Sequence, residues 1–295
     1  MSLIGLMSYQ NQFWVFWRKG IFVYYIDMNT TLIGIYLYKW SYIECLSELQ
    51  NKIVNKETAL VVTPNPEMLY DAGQNSQLLE ILQKADYALP DGAGIFVAYQ
   101  IAESTLPRIL KYFVSPYWCF RAILHTKSFQ EEYGERITGA RLTRDLLSYA
   151  SEKNIPVTIL DPVVAGETPR DQAKRVSQTS MQAILQEKYP EIPLTIVIRN
   201  APPENLPENG IVFATHGNGI QEKLLSETVK KYPSCGLTIG VGGSIDLITG
   251  FRSPAPELFQ KLGFEWLYRL LKNPRRHLKR MRKVIGFLES RLSGQ

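Results

Sequence analysis

The chain has 295 residues and a net charge of +5, with 45% hydrophobic and 21% charged residues. This composition is typical of a globular protein with a buried core, and it excludes a disordered chain, collagen and a coiled coil. Three cysteines and three histidines, scattered along the chain, argue against a disulfide framework or a histidine-based metal site and favour a reducing compartment.

Residues 1–29 are rich in aromatic side chains and have no clear period. Their most apolar run, residues 13–26, is interrupted by charges and is too short to cross a bilayer, so we expect a cytosolic protein. Downstream, short apolar runs alternate with segments of helical period. We predict strands at residues 31–38, 58–62, 86–89, 157–160, 194–198, 211–214 and 237–241. We predict helices at residues 41–54, 67–85 (one or two), 95–102, 142–152, 170–188 and 221–231. This alternation predicts an α/β fold with a mostly parallel, Rossmann-like sheet and helices on both faces.

Two segments lie outside this alternation. Residues 105–132 mix aromatic and basic side chains, which is typical either of a membrane-interface patch or of a packed subdomain. Residues 262–291 form a predicted helix pair bent at Pro274, since the residue before a proline resists the helical conformation. After the bend, apolar residues line one face and basic residues cover the rest, as in a cationic amphipathic helix. The apolar residues are Leu278, Met281, Ile285 and Leu288.

The positive charge is concentrated near the C-terminus. From Arg269 to Lys283 there are eight Lys and Arg residues and no acid, so the rest of the chain sums to −3. A mildly acidic body with a basic end is typical of a protein that touches an anionic surface through that end. The candidate surfaces are a membrane, a nucleic acid and a phosphorylated substrate.

Three polar turns follow predicted strands, at residues 63–67, 89–94 and 240–246. In an open α/β sheet, ligands bind beyond the carboxyl ends of the strands. Asp91 is the clearest candidate, because a carboxylate at a strand end beside glycines is suited to remove a proton from a hydroxyl group. The alternative is that Asp91 is only the N-cap of the following helix.

The other candidates also have two interpretations. Thr63 and Asn65 are suited to bind a sugar or phosphate, but they are also common turn formers. Gly242 and Gly243 lie in a glycine-rich turn that suits a diphosphate, although a tight strand-to-helix connection explains it equally well. Two polar residues lie at the start of a predicted helix, where they either bind the ribose or base of a nucleotide or cap the helix. These residues are Gln221 and Glu222.

Taken together, five motifs in order resemble the WecG/TagA/CpsF family of bacterial glycosyltransferases. The motifs are VVTPNPEM (61–68), ADYALPDGAG (85–94), ERITG (135–139), IGVGGSID (239–246) and LGFEWLYRLLKNPRR (262–276). The resemblance implies transfer of N-acetylmannosamine, its uronic acid or another sugar from a UDP-sugar to a sugar on undecaprenyl diphosphate. The pathway implied is the assembly of a cell-surface polysaccharide or a teichoic-acid-like polymer.

The resemblance also implies residue roles. Asp91 matches the family's proposed general base, which activates the acceptor hydroxyl for attack with inversion. Thr63, Asn65 and Arg136 match residues that line the same pocket. A Gln-Glu pair matches Gln221 and Glu222 and lies near the nucleotide. C-terminal arginines that close over the site and contact diphosphate match Arg269 and Arg276, and at the next such position the chain has Lys279 with Arg280 adjacent. An Asp-x-Asp motif is absent from the sequence, so we expect no metal and no other cofactor.

The chain also departs from the family pattern. Gly219 and Ile220 stand where the family usually has Pro-Lys, and the stretch between residues 198 and 211 is shorter than usual.

We divide the chain into an N-terminal extension (1–30), an α/β core (31–261) with an inserted segment at about 103–134, and a C-terminal helical tail (262–295). We expect the core to fold without the tail.

The expected partners follow from the implied reaction. They are a UDP-sugar donor, a polyprenyl-diphosphate-linked acceptor and the inner surface of the cell membrane, which the tail would contact from the cytoplasm. We expect no nucleic acid, because the body is acidic, and the sequence is compatible with a homo-oligomer. The alternative function is a catalytically silent scaffold that binds nucleotide-sugar or lipid at the membrane, which the Gly219-Ile220 departure favours.

Overall fold

The computed structural model describes residues 5–9, 12–16, 29–124, 127–256, 259 and 265–293. The chain begins with two antiparallel strand pairs. The first joins β1 (Gly5–Tyr9) to β2 (Gln12–Phe16), and the second joins β3 (Asn29–Leu32) to β4 (Ile35–Tyr38). The single strand predicted at residues 31–38 is wrong, because Ile33 and Gly34 both have positive φ angles (50° and 75°) and form a tight hairpin turn.

Six parallel strands form the central sheet. They are β5 (Ala59–Val62), β6 (Tyr87–Ala88), β7 (Val157–Asp161), β8 (Leu194–Ile198), β9 (Gly210–Ala214) and β10 (Gly236–Gly240). Their order across the sheet is β6-β5-β10-β9-β7-β8, and every neighbouring pair is parallel. The carboxyl ends of β6, β5, β10 and β9 are therefore adjacent along one edge, which is where the predicted turns lie.

Helices cover both faces of this sheet. They are α1 (Tyr42–Val54), α2 (Pro66–Ala72), α3 (Ser76–Lys84), α4 (Ala93–Glu103), α5 (Arg108–Leu124), α6 (Lys127–Tyr133), α7 (Gly139–Lys153), α8 (Pro169–Lys188), α9 (Ile220–Lys231), α10 (Ser244–Ile248), α11 (Glu265–Lys272) and α12 (Pro274–Ser293). The predicted α/β fold with a parallel sheet is thus confirmed.

Two hydrophobic cores lie on opposite faces of the sheet because strand side chains alternate. Within β5, Leu60 and Val62 belong to the first core, whereas Ala59 and Val61 belong to the second. The first core also contains buried residues of α2, α3, α4, α9 and α12. The second core is closed by buried residues of α1, α7, α8 and α10.

The C-terminal helix pair is part of the first core. One helix ends at Lys272 and the next begins at Pro274, so the chain leaves the helical conformation at Asn273, as expected before a proline. Phe287 and Leu292 of α12 are buried in the first core. That the core folds without this tail stays a prediction, and because the tail supplies core side chains we expect the truncated core to be less stable. The cationic amphipathic character of the tail stays a prediction.

Candidate active site

The loops after β5, β6 and β10 are joined to one another by hydrogen bonds at the carboxyl edge of the sheet. The backbone N–H of Asp91 donates to the carbonyl oxygen of Pro64 (2.9 Å). The Thr63 hydroxyl donates to the carbonyl oxygen of Gly240 (3.3 Å), which ends β10. Three predicted turns that are far apart in the sequence therefore form one continuous rim.

Asp91 lies in this rim, half-buried, immediately before α4. The N-cap of α4 is Gly92, with a φ angle of 92°, so the N-cap residue has no side chain to cap this helix. Asp91 therefore lies one residue before the N-cap position, and its role as a general base stays a prediction. A Cβ atom on Gly94 would lie 2.6 Å from Cγ of Pro66, so only glycine allows α4 to begin this close to α2.

Asn65 and Thr63 both have structural partners in the rim. The Asn65 side chain is the N-cap of α2, accepting a hydrogen bond from the N–H of Met68 (3.0 Å). The amide nitrogen of Asn218, in the loop after β9, approaches the same Asn65 oxygen at 3.4 Å. Thr63 is buried, and its hydroxyl links the end of β5 to the end of β10 by the hydrogen bond to Gly240. Both side chains thus have a structural role, a helix cap for Asn65 and a bond to β10 for Thr63, and their contact with substrate stays a prediction.

Gln221 and Glu222 fix the neighbouring loops from a buried position at the start of α9. The Gln221 side-chain oxygen accepts hydrogen bonds from the N–H groups of Gly217 (3.2 Å) and Gly242 (3.1 Å), which joins the loops after β9 and β10. The Glu222 carboxylate accepts from the N–H of Gly219 (2.6 Å), which is the helix-capping alternative. Burial raises the pKa of the Glu222 carboxyl, and the hydrogen bonds it accepts partly oppose that shift.

The glycine-rich turn after β10 leads into α10. Gly242 has a positive φ angle of 50°, and Gly243 is the N-cap of α10. A Cβ atom on Gly243 would lie 2.8 Å from a guanidinium nitrogen of Arg252, so this turn is closely packed. The tight strand-to-helix connection therefore explains both glycines, and a diphosphate contact stays a prediction.

Arg136 lies, half-buried, in the loop before α7. Its neighbour Ile137 is fully buried in the second core, which anchors the loop. The loop ends at Gly139, whose Cα is so close to α10 that an added Cβ would lie 3.3 Å from the Ser244 hydroxyl. The start of α7, three residues after Arg136, is therefore packed against α10, and a substrate contact of Arg136 stays a prediction.

The last helix brings basic side chains to the start of α2. Arg280 Nε lies 2.5 Å from Glu67 Oε2, and Lys283 Nζ lies 2.7 Å from Asp71 Oδ2. Glu67 directly follows the Asn65 turn, so Arg280 reaches the rim that carries Asp91. The sequence motif contains Glu67, but nothing local signals its partner, which lies 213 residues further along the chain.

The remaining predicted cations are more dispersed. Arg269 is half-buried in α11, and Lys279 is exposed on α12. Arg276 belongs to α12, but its side chain lies outside the described part of the chain. Of the predicted C-terminal cations, the structure thus brings Arg280 to the rim through Glu67.

A polar cluster that the sequence analysis missed lies further along the same edge, at the ends of β7 and β9. The Lys174 ammonium lies 3.1 Å from Asp161 Oδ1 and 3.0 Å from Asp246 Oδ1. Asp161 is completely buried and also accepts hydrogen bonds from the side chains of Thr215 and Gln178. This cluster fastens α8 to the sheet and to α10, beside the glycine-rich turn.

We predict that Lys174→Met destabilises the protein by about 2–4 kcal/mol, because it leaves the buried Asp161 carboxylate without its cation. The control is Lys84→Met, because Lys84 pairs with Glu80 at an exposed position and should change stability by less than about 0.5 kcal/mol. Urea unfolding of both variants measures the difference. Equal stabilities would contradict a structural role for the cluster.

Comparison with known proteins identifies one family. Its model, described as Glycosyl transferase WecG/TagA/CpsF family, matches residues 30–121 and 120–290. The match includes Asp91, the rim loops, α11 and α12 as far as residue 290. None of the helices in the described part of the chain combines the length and hydrophobicity needed to span a bilayer.

Proposed function

Since the chain belongs to the glycosyl transferase WecG/TagA/CpsF family, we propose that it is an inverting glycosyltransferase that uses a UDP-sugar donor. The family assigns it to cell-surface polysaccharide synthesis. The transferred sugar in this proposal is N-acetylmannosamine or its uronic acid. The acceptor is a sugar hydroxyl on undecaprenyl diphosphate, in the assembly of a polysaccharide or teichoic acid.

The observation that carries the proposal is the environment of Asp91. Asp91 stands at the carboxyl edge of a parallel sheet, where open α/β folds bind ligands, one residue before the glycine that is the N-cap of α4. The Asp91 backbone is fixed by its hydrogen bond to Pro64. A carboxylate held in this way is suited to general-base catalysis.

The proposed reaction is a single displacement. Asp91 accepts the proton of the acceptor hydroxyl while the hydroxyl oxygen forms a bond to the anomeric carbon of the donor. The bond from that carbon to the UDP oxygen breaks, and UDP leaves with the bonding electrons. Because attack and departure occur on opposite faces of the sugar, the anomeric configuration inverts.

The charges near the rim support this assignment. UDP and the lipid diphosphate are both strongly anionic, so cations near the site stabilise the charge that develops on the leaving group. Arg280 lies against Glu67 at the rim, and a diphosphate would compete with this carboxylate for the guanidinium. In this proposal Arg269, Arg276 and Lys279 close over the bound substrates at the inner face of the membrane.

The test is UDP release from a panel of UDP-sugars, measured with a lipid-linked acceptor in vesicles, with and without EDTA. We expect release from a UDP-N-acetylhexosamine or its uronic acid that depends on the acceptor. EDTA should leave the rate unchanged, since we propose a metal-independent reaction. Donor binding without UDP release from any donor would contradict catalysis and favour the silent scaffold.

A further inference from the structure

Two charged side chains of α5 contact the body of the protein, while most of its aromatic side chains are exposed. Lys111 donates a hydrogen bond to the carbonyl oxygen of Ile101 at the end of α4 (2.9 Å), and Arg121 pairs with Glu132 of α6 (3.0 Å). The side of α5 that packs on the body is narrow, with Trp118 and Ala122 buried. An ordinary surface helix has one apolar face, which is turned inward, whereas α5 also has apolar residues on its outward side.

The outward face of α5 is a continuous apolar stripe. Its residues recur every three or four positions, which places them on one side of the helix. They are Ile109, Tyr112, Phe113, Tyr117, Phe120 and Leu124, all exposed. Phe113 is 78% exposed, and monomeric proteins rarely leave a stripe of this size uncovered.

The sequence that carries the stripe is basic, although Arg121 is paired with Glu132 of α6. From residue 104 to residue 130 the sequence contains four Lys or Arg and no acid. Helix α5 also contacts α12. Among the side chains of α12 that the structure describes, three cations are exposed together with Leu278 and Ile285. These cations are Arg275, Lys279 and Arg282.

We propose that the aromatic face of α5 docks on an anionic lipid bilayer and inserts its rings at the headgroup level, while the neighbouring face of α12 supplies the charge attraction. Phenylalanine and tyrosine side chains are favourable at that depth, and cations beside them favour anionic lipids. The absence of acid in residues 104–130 favours an anionic lipid surface over a protein partner, since protein surfaces present both charges. This proposal rests on the proposed function in one respect, because it gives the enzyme a second contact with the membrane that holds its acceptor.

The test is co-sedimentation of the full-length protein with vesicles of phosphatidylglycerol and phosphatidylethanolamine, at about 0.1 M and about 1 M NaCl. At about 1 M salt, charge attraction is screened beyond about 3 Å, so the binding that remains reports ring insertion. We expect the double variant Phe113→Ser/Phe120→Ser to bind vesicles at high salt roughly tenfold or more weakly than the wild type. Each substitution removes an aromatic ring whose apolar area would be buried in the bilayer.

The matched control is the double variant Ile43→Ser/Val54→Ser. Ile43 is 78% exposed, as Phe113 is, and both control residues belong to α1 on the opposite face of the sheet. The control should bind vesicles like the wild type. Equal salt-resistant binding by the aromatic variant would overturn the proposal. A wild-type dimer in the absence of lipid that Phe113→Ser/Phe120→Ser converts to monomer would also overturn it, since a second copy would then cover the face.

Turnover distinguishes this proposal from the proposed function. The aromatic variant should match the wild type on a short-chain, water-soluble polyprenyl diphosphate acceptor and fall behind on acceptor embedded in vesicles. If the wild type transfers no sugar to either acceptor, the proposed function fails, and the co-sedimentation experiment still tests whether α5 docks on the bilayer. If the wild type is active and the aromatic variant matches it on both acceptors, docking by α5 fails alone.

Discussion

Asp91→Asn should abolish sugar transfer, lowering kcat by roughly 10²–10⁴-fold, the range that general-base catalysis contributes. The amide has nearly the same shape as the carboxylate but does not accept the proton of the acceptor hydroxyl. The backbone hydrogen bond from Asp91 to Pro64 does not involve the side chain, so the rim should keep its geometry.

The measurement is UDP release at saturating donor and acceptor, with KM determined for each. Loss of kcat with an unchanged donor KM would assign Asp91 to the chemical step rather than to binding. The control is Glu80→Gln, which neutralises an exposed carboxylate on α3 and should leave turnover unchanged. A folded Asp91→Asn enzyme with wild-type kcat would remove the general base from the mechanism.

The sheet could be predicted because its signal is local. Each buried parallel strand is a short apolar run, and each is followed by a segment of helical period, so β5, β7, β9 and β10 were found within one or two residues. The hairpin between β3 and β4 was missed because its turn begins with Ile33, a residue that rarely adopts a positive φ angle.

The site was only partly predictable, because local sequence shows where a turn follows a strand but not which distant residues contact that turn. The sequence identified the turn of Asp91 and the turn of Thr63 as strand ends, and parallel topology brings such ends to one edge. Local sequence does not show that the Gln221 oxygen binds the N–H of Gly242, or that Lys174 bridges Asp161 to Asp246. These contacts join residues that only the fold brings together.

Phe287→Ala should lower the free energy of unfolding by about 3–5 kcal/mol, the usual loss for a buried phenylalanine. Phe287 is 2% exposed and belongs to the first core. The next residue toward the N-terminus, Gly286, packs so closely on α2 that a Cβ atom would lie 2.7 Å from Tyr70 Cε2. Helix α12 is therefore held by close packing as well as by its ion pairs to Glu67 and Asp71.

The control for this prediction is Leu278→Ala on the same helix. Leu278 is 51% exposed, so its truncation should change stability by less than about 1 kcal/mol. Urea unfolding of both variants measures the difference, and UDP release measures whether displacing α12 from α2, and with it Arg280 from the rim, also lowers turnover. If a chain that ends near residue 262 unfolded at the same urea concentration as the full chain, α12 would contribute nothing to the stability of the core. Since Phe287 and Leu292 fill the same core as α2 and α4, we expect that truncated chain to unfold at a lower concentration.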